Sequence, residues 1–429
     1  MEIYIVQPGD NIYSISDKFG VSVNRLVMNN GLEYPFELTI GQALVIAYPS
    51  QTHNVQEGDT LQGIADMYQV PLMKILRNNP YLTEREYIYP GETIIISYPT
   101  VRDITTNGFT YPYVRRDTLI KNLTNLTYLS VFNYTIVDKG EIIIYHNDVE
   151  IVQTAIDFGV IPLLMLTSLS QLGEPNVEIS FNLLLSAEYQ DKLINQIISI
   201  IKSKSYYGLN MVFNYLNKNS QSLYLNMVKR ISDRLWQEGF LFFITINYNN
   251  MKQDEQEINE LVDYSVFNDY INAIIFLKFF WGTNYGPPSP VSDINNIRAL
   301  VSYVSKLVPV EKMMIGKPLI GYDWSLPYIP DRSSAISISV EAAMRLAYDT
   351  GSIIQFDEPS LTPYFYYNQL SVGVPQQHIV WFVDARSIDA LNDLINEFSL
   401  NGTGIWNVML YNPQLWTILN SQYEIMKLL

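Results

Sequence analysis

From residue 101 to its end the chain alternates short apolar runs with amphipathic stretches, and this alternation constrains the fold more than any other feature. The runs fall at 106–111, 127–133, 160–166, 208–213, 240–246, 273–279, 313–319 and 404–409. Most are apolar nearly throughout, the pattern of strands covered on both faces. The stretches between them have helical spacing. Leu193, Ile194, Ile197, Ile198 and Ile201 share one face of 188–204. Val228, Ile231 and Leu235 do so in 222–238, where Gly239 is a stop, and Ile297, Leu300, Val301 and Val304 in 295–308, ahead of Pro309. A helical crossover returns the chain to the same end of a sheet, so strands joined this way run parallel. Eight such strands predict an α/β fold, a (β/α)8 TIM barrel. The segment 320–400 is too long for one crossover. A small α+β lobe is expected at about 325–395, with 353–356 and 379–382 as strands.

A repeat precedes the barrel. Val6-Gln7-Pro8-Gly9-Asp10-Asn11-Ile12 returns as Val55-Gln56-Glu57-Gly58-Asp59-Thr60-Leu61. Each copy continues through two short helical patterns to Asn29-Asn30-Gly31 or Asn78-Asn79-Pro80, then closes on a strand led by Gly41 or Gly91. A period of roughly fifty residues suits two small βααβ units. Gly-Asp makes the turn from strand to helix, and Asp is a good helix cap. These units, at 1–50 and 51–99, resemble LysM modules, which bind N-acetylglucosamine-containing glycans. The resemblance implies glycan contacts from Gly9, Asp10, Asn11 and Ile12 with Asn29 and Asn30, and from Gly58, Asp59, Thr60 and Leu61 with Asn78 and Asn79. The same residues also suit a purely structural role in turns and caps.

With 27 Lys and Arg against 43 Asp and Glu, the net charge of −16 argues against nucleic acid or an anionic membrane as partner. There is no cysteine, and His53, His146 and His378 lie far apart, so no metal site and no cofactor are expected. Met1-Glu2-Ile3-Tyr4-Ile5 lacks a basic region before an apolar run, so no signal peptide is expected. No apolar run reaches the roughly 18–20 residues that span a bilayer. The 32 tyrosines fit a carbohydrate-facing or self-associating surface, and equally strands that are simply rich in Tyr.

The stretch Tyr207-Gly208-Leu209-Asn210-Met211-Val212-Phe213-Asn214-Tyr215 resembles the active-site strand of family 18 glycoside hydrolases, and of their spore cortex-lytic N-acetylglucosaminidases in particular. Thr127–Tyr134, Ile315–Trp324, His378–Ser387, Gly404-Ile405-Trp406 and Pro413–Trp416 carry the likeness over 100–429. In the family a Glu at the Asn214 position donates the proton, and an Asp at the Val212 position holds the substrate's acetamide. The sixth strand carries Tyr-Asp where this chain has Phe279-Phe280. Asn210, Val212 and Asn214 alternate onto one face of a strand, so the departures converge on one pocket. Trp406, Trp281, Trp324 and Asp323 are expected at the barrel mouth. Phe109 and Tyr111 are further candidates there. Asp323 and Asp384 are the carboxylates considered for a replacement acid, and both read first as structural or rim groups.

The expectation is a non-catalytic scaffold or lectin that associates with peptidoglycan or another N-acetylglucosamine glycan. The resemblance places it at a spore surface, cortex or coat, assembled from the mother cell, with spore-surface proteins or itself as further partners. A self-assembling structural protein is one alternative. An active N-acetylglucosaminidase using displaced acids is the other.

Overall fold

The computed structural model describes residues 1–85, 87–169, 176–214, 216–248, 262–278, 283–371 and 374–429. The N-terminal unit pairs β1 (Glu2–Ile5) antiparallel with β2 (Ala43–Ile46) around α1 (Ile12–Phe19) and α2 (Val23–Asn30). Asn11 starts α1 with a capping box, and Gly20 ends it in the left-handed conformation at φ 62°. The second unit repeats the plan with β3 (Gln51–Asn54), α3 (Leu61–Tyr68), α4 (Leu72–Asn78) and β4 (Thr93–Ser97). Each unit has its own small core, around Ile15 and Leu26 in the first and Ile64 and Ile75 in the second.

The barrel opens with β5 (Arg102–Thr110), α5 (Arg116–Leu123) and β6 (Tyr128–Ile136), which turns back into the short β7 (Ile142–Ile144). It continues through α6 (Val149–Asp157), β8 (Ile161–Thr167), α7 (Val177–Leu185), α8 (Ala187–Lys204) and β9 (Gly208–Phe213). Next come α9 (Gln221–Gln237), β10 (Leu241–Ile246) and β11 (Ala273–Phe276). After β12 (Thr283–Asn284), α10 (Ile294–Val304) leads to β13 (Met313–Pro318). Parallel pairing runs β5-β6-β8-β9-β10-β11-β13-β19 and returns to β5, where β19 is Gly402–Trp406. Eight parallel strands therefore close on themselves, as the apolar runs predict.

Between β13 and β19 the lobe inserts β14 (Gly321–Ser325), β15 (Ala335–Ile338), α11 (Val340–Asp349), β16 (Gln355–Asp357), β17 (Thr362–Ser371) and β18 (Val374–Phe382). Its antiparallel sheet, ordered β12-β15-β14-β18-β17-β16, leads into α12 (Ala385–Glu397). The chain ends in α13 (Pro413–Gln422) and β20 (Tyr423–Ile425), which pairs with the start of β5. Among the described residues no helix is long and apolar enough to cross a membrane.

The two N-terminal units are docked on this body. Arg77 of α4 is buried against Glu424, and its guanidinium also donates to the Ile425 carbonyl at 3.2 Å. Gln414 of α13 donates to the Ala43 carbonyl at 2.8 Å and to Asn30 Oδ1 at 3.0 Å. On the lobe side the Ile354 amide donates to the Ile40 carbonyl at 3.0 Å. Gly41, at φ +85°, packs so closely there that a Cβ would lie 1.9 Å from the Ile354 carbonyl oxygen.

Candidate active site

Inside the barrel a polar rung lies beneath an apolar layer. The Ser130 hydroxyl donates to Asn107 Oδ1 at 2.9 Å and receives the Asn210 amide at 2.9 Å. Thr245 completes the chain by donating to Asn210 Oδ1 at 2.7 Å. These side chains come from β5, β6, β9 and β10 and are wholly buried. Asn210 thus serves the rung.

One step toward the mouth, Val212 packs with Phe132, Met165, Phe243, Leu277 and Trp406 in a buried apolar cluster. The alternation of β9 puts Asn214 a further step outward, half-buried at the rim. Its amide donates to Thr167 Oγ1 at 3.2 Å, and its oxygen accepts from Asn247 Nδ2 at 3.2 Å. Together with Asn247 and Thr167 it forms an amide-and-hydroxyl lip suited to sugar hydroxyls and acetamides.

Beside the lip stands an aromatic array. Trp406 lies 5.8 Å from Phe109 and 6.2 Å from Tyr111, and Tyr111 stacks on Tyr113 at 5.3 Å with an interplanar angle of 25°. Tyr113 is 59% exposed and offers a ring face of the kind sugars stack on. Trp406 and Phe109 are buried beneath it. Tyr113, Thr167 and Asn247 escape a motif-based reading, because none lies on a strand that carries the family likeness. The spacing Tyr111-Pro112-Tyr113, just past the end of β5, is the signal that points to the first of them.

Trp324 and Asp323, also expected at the mouth, lie elsewhere. Trp324 is fully buried, its indole donating to the Gly286 carbonyl at 3.1 Å, so it packs the lobe and lines no opening. Along β14 the side chains alternate. Tyr322 and Trp324 join a cluster with Val291 and Ile379, and Asp323 faces the other way. Asp323 accepts from Tyr367 at 2.6 Å and meets His378 Nδ1 at 2.9 Å, both on neighbouring lobe strands. Its carboxylate is committed to the lobe and is no mouth acid. Asp384 caps α12 and binds the Arg386 guanidinium at 2.6 Å. Phe279, Phe280 and Trp281 lie outside the described residues. Lys278, two residues past the end of β11, has its ammonium drawn below the usual lysine range by burial.

In the N-terminal units most of the expected glycan-contact side chains hold the fold. Asp10 accepts from Tyr4 at 2.6 Å and from the Gln7 amide at 2.7 Å, which hold its carboxyl below the usual range. Asp59 does the same with His53 at 2.8 Å and Gln56 at 2.7 Å. Asn11 and Thr60 cap helices, and Gly9 and Gly58 take φ of +87° and +89° in the turns. Ile12 belongs to its unit's core and Leu61 packs against the other. Asn30 clamps both backbone groups of Val45, and Asn79 clamps those of Ile95. Asn78 donates to the Ile96 carbonyl at 3.0 Å, and Asn29 is buried against α13.

A closed eight-stranded barrel with an antiparallel lobe before its last strand, and with Trp406 under an aromatic rim, defines the class. Residues 165–410 match glycosyl hydrolases family 18, and the chain belongs to that family. It also carries two LysM domains, matched at 4–47 and 53–97. It is 26% identical over 440 residues to the cortical fragment-lytic enzyme of Bacillus subtilis (strain 168), covering 100% of this chain and 99% of that one. The spore cortex-lytic enzyme SleL of Bacillus megaterium QM B1551 superposes with a TM-score of 0.78 at 28% identity, over 100% of this chain and 99% of that structure. SleL of Bacillus cereus gives 0.77 at 27% identity, over 99% of each chain.

These relatives correct the expectation of a non-catalytic scaffold or lectin, and with it the pseudoenzyme reading. Proteins collinear with this chain from end to end are named as lytic enzymes. Val212 and Asn214 remove two groups from two positions. Acid catalysis requires only a proton donor within reach of the leaving oxygen, whichever element supplies it.

Proposed function

We propose that this chain is a glycosidase acting on fragments of spore-cortex peptidoglycan, with its LysM domains holding the glycan and a displaced acid supplying the proton. The observation that carries this reading is collinearity. This chain, with its two LysM domains, barrel and lobe, aligns over its whole length with 99% of relatives named for cortical-fragment and cortex lysis. Glycoside hydrolysis needs a proton on the leaving oxygen and stabilisation of a cationic sugar ring. In this reading Tyr113 and Tyr111 stack one sugar face, and Asn214, Asn247 and Thr167 hold its polar edge. The loops Gly9–Ile12 and Gly58–Leu61 present their backbone to N-acetyl sugars. We assign residues 1–50 and 51–99 to glycan retention, 100–429 to cleavage, and the site of action to the spore.

Incubating the purified chain with cortical muropeptides and following new reducing ends by mass spectrometry tests the proposal. Products cut at one glycosidic linkage are expected. Intact muropeptides after prolonged incubation, beside a cleaving Val212→Asp/Asn214→Glu variant in the same assay, would sink it.

A further inference from the structure

The face of the lobe sheet opposite Tyr322 and Trp324 carries a line of polar side chains that the barrel chemistry does not use. Asp323 and Ser325 are two residues apart on β14 and therefore share this face. Ser325 stands directly across from His378 of β18, and His378 directly across from Tyr367 of β17. Next to the Ser325–His378 pair, the Leu326 amide donates to the Gln377 carbonyl at 2.8 Å. Ser325 and His378 are thus a pair without backbone hydrogen bonds of its own, the kind whose side chains approach most closely.

The contacts run in sequence. His378 Nδ1 lies 2.9 Å from Asp323 Oδ1, and His378 Nε2 lies 3.4 Å from Ser325 Oγ. The Tyr367 hydroxyl donates to the other carboxylate oxygen, Asp323 Oδ2, at 2.6 Å. Burial, and then this bond, push the Tyr367 phenol above its usual range, so it stays a donor. A carboxylate accepting at Nδ1 holds the neutral ring as the Nδ1–H tautomer and leaves the Nε2 lone pair facing the serine hydroxyl. The side chains of His378 and Asp323 are 12% and 15% exposed, whereas Ser325 is open to solvent. The base is therefore sheltered and oriented, and the hydroxyl beside it can be reached. A hydroxyl next to a base that a third group orients is the arrangement that activates serine for acyl transfer.

We propose that Ser325, His378 and Asp323 form a second catalytic site, on the lobe, that hydrolyses carboxylic esters of small acyl groups such as acetyl. Ser325 Oγ attacks the carbonyl carbon as its proton passes to His378 Nε2. The ester C–O bond then breaks, and the alcohol leaves with that proton. Water attacks the acyl–Ser325 ester and gives a proton to Nε2, and the serine oxygen takes it back as the carboxylic acid departs. Asp323 acts through His378 as a positioning residue. None of these groups belongs to the barrel mouth, so the activity is independent of glycan cleavage there.

Hydrolysis of p-nitrophenyl acetate by the full chain, and labelling by a fluorophosphonate, test the proposal. Ser325→Ala removes only an exposed hydroxyl and is expected to lower the rate about a hundredfold or more. Mass spectrometry should place the phosphonyl adduct on Ser325, and His378→Gln should abolish it. Asp323→Asn is expected to lower kcat at unchanged KM. The chain has no cysteine, so Ser325→Cys introduces its only thiol. Iodoacetamide at neutral pH should alkylate that thiol about tenfold faster than the one in Ser325→Cys/His378→Gln, because a neighbouring imidazole raises the thiolate fraction. Equal hydrolysis by the unaltered chain and Ser325→Ala, no adduct on Ser325, or alkylation indifferent to His378 would overturn the proposal.

Discussion

Lys317 offers a quantitative check on how the barrel wall is built. It lies on β13 with 1% exposure, and its ammonium makes no hydrogen bond among the described residues. Burial draws its pKa from 10.5 to about 7, and Asp389 on α12 offsets only part of that. At about 1.4 kcal/mol per tenfold, the depression amounts to a native-state cost on the order of 5 kcal/mol. The sign follows from proton uptake. Below about pH 7 the cost is fully present, and as pH rises toward 10.5 the unfolded chain gives up its proton too and the cost fades.

Lys317→Met keeps the volume and removes the charge, so the variant is expected to be more stable by about 1–4 kcal/mol near pH 6. That advantage should shrink by roughly 2–3 kcal/mol between about pH 6 and about pH 9. Lys427, also drawn down to about 7 by burial, is common to both proteins and drops out of the difference. Denaturant unfolding of the pair across this range is the assay. A difference that stays constant with pH, or a variant less stable throughout, would refute the reasoning.

Asn79→Ala removes the clamp on Ile95, taking the side-chain partner from both the buried Ile95 amide and its carbonyl. The second LysM unit should lose about 2–4 kcal/mol, read as faster hydrogen exchange in 93–97 with the barrel strands unchanged. Gly41→Ala forces a methyl group onto the Ile354 carbonyl at a positive φ. The first LysM unit should come off the lobe, seen as earlier proteolytic cleavage near residue 50 and a larger radius in solution.

Eight apolar runs located the barrel because strands covered on both faces carry a continuous signal, and parallel closure needs no further information. The structure shifts only the ends, starting β5 at Arg102 and β19 at Gly402 and carrying β6 on to Ile136. β19 stops at Trp406, where its carbonyl accepts from Leu319 as the chain turns away. The docking of the LysM units was not legible, since Arg77 and Glu424 are 347 residues apart and nothing local marks them as partners.

The site was legible only in part. The alternation of β9 placed Asn210, Val212 and Asn214 on one face, but it did not reveal that Asn210 is held in a rung with Ser130 and Thr245. Asp323 reads as a rim acid from its motif. Only the alternation of β14 shows it turned away, toward Tyr367 and His378. The reading of function failed for a similar reason. It weighed Val212 and Asn214 on one strand and Phe279 and Phe280 on another above a likeness that runs the length of the chain.

The central claim is that this family 18 chain cleaves cortical glycan without a proton from the Asn214 position. The rate of muropeptide turnover by the unaltered chain and by Asn214→Ala measures it most directly. The account predicts cleavage by both, with Asn214→Ala lower in kcat/KM by no more than about tenfold, the value of one sugar hydrogen bond, because loss of a proton donor would cost about a hundredfold or more. No cleavage by the unaltered chain, or a hundredfold loss on replacing Asn214, would contradict it.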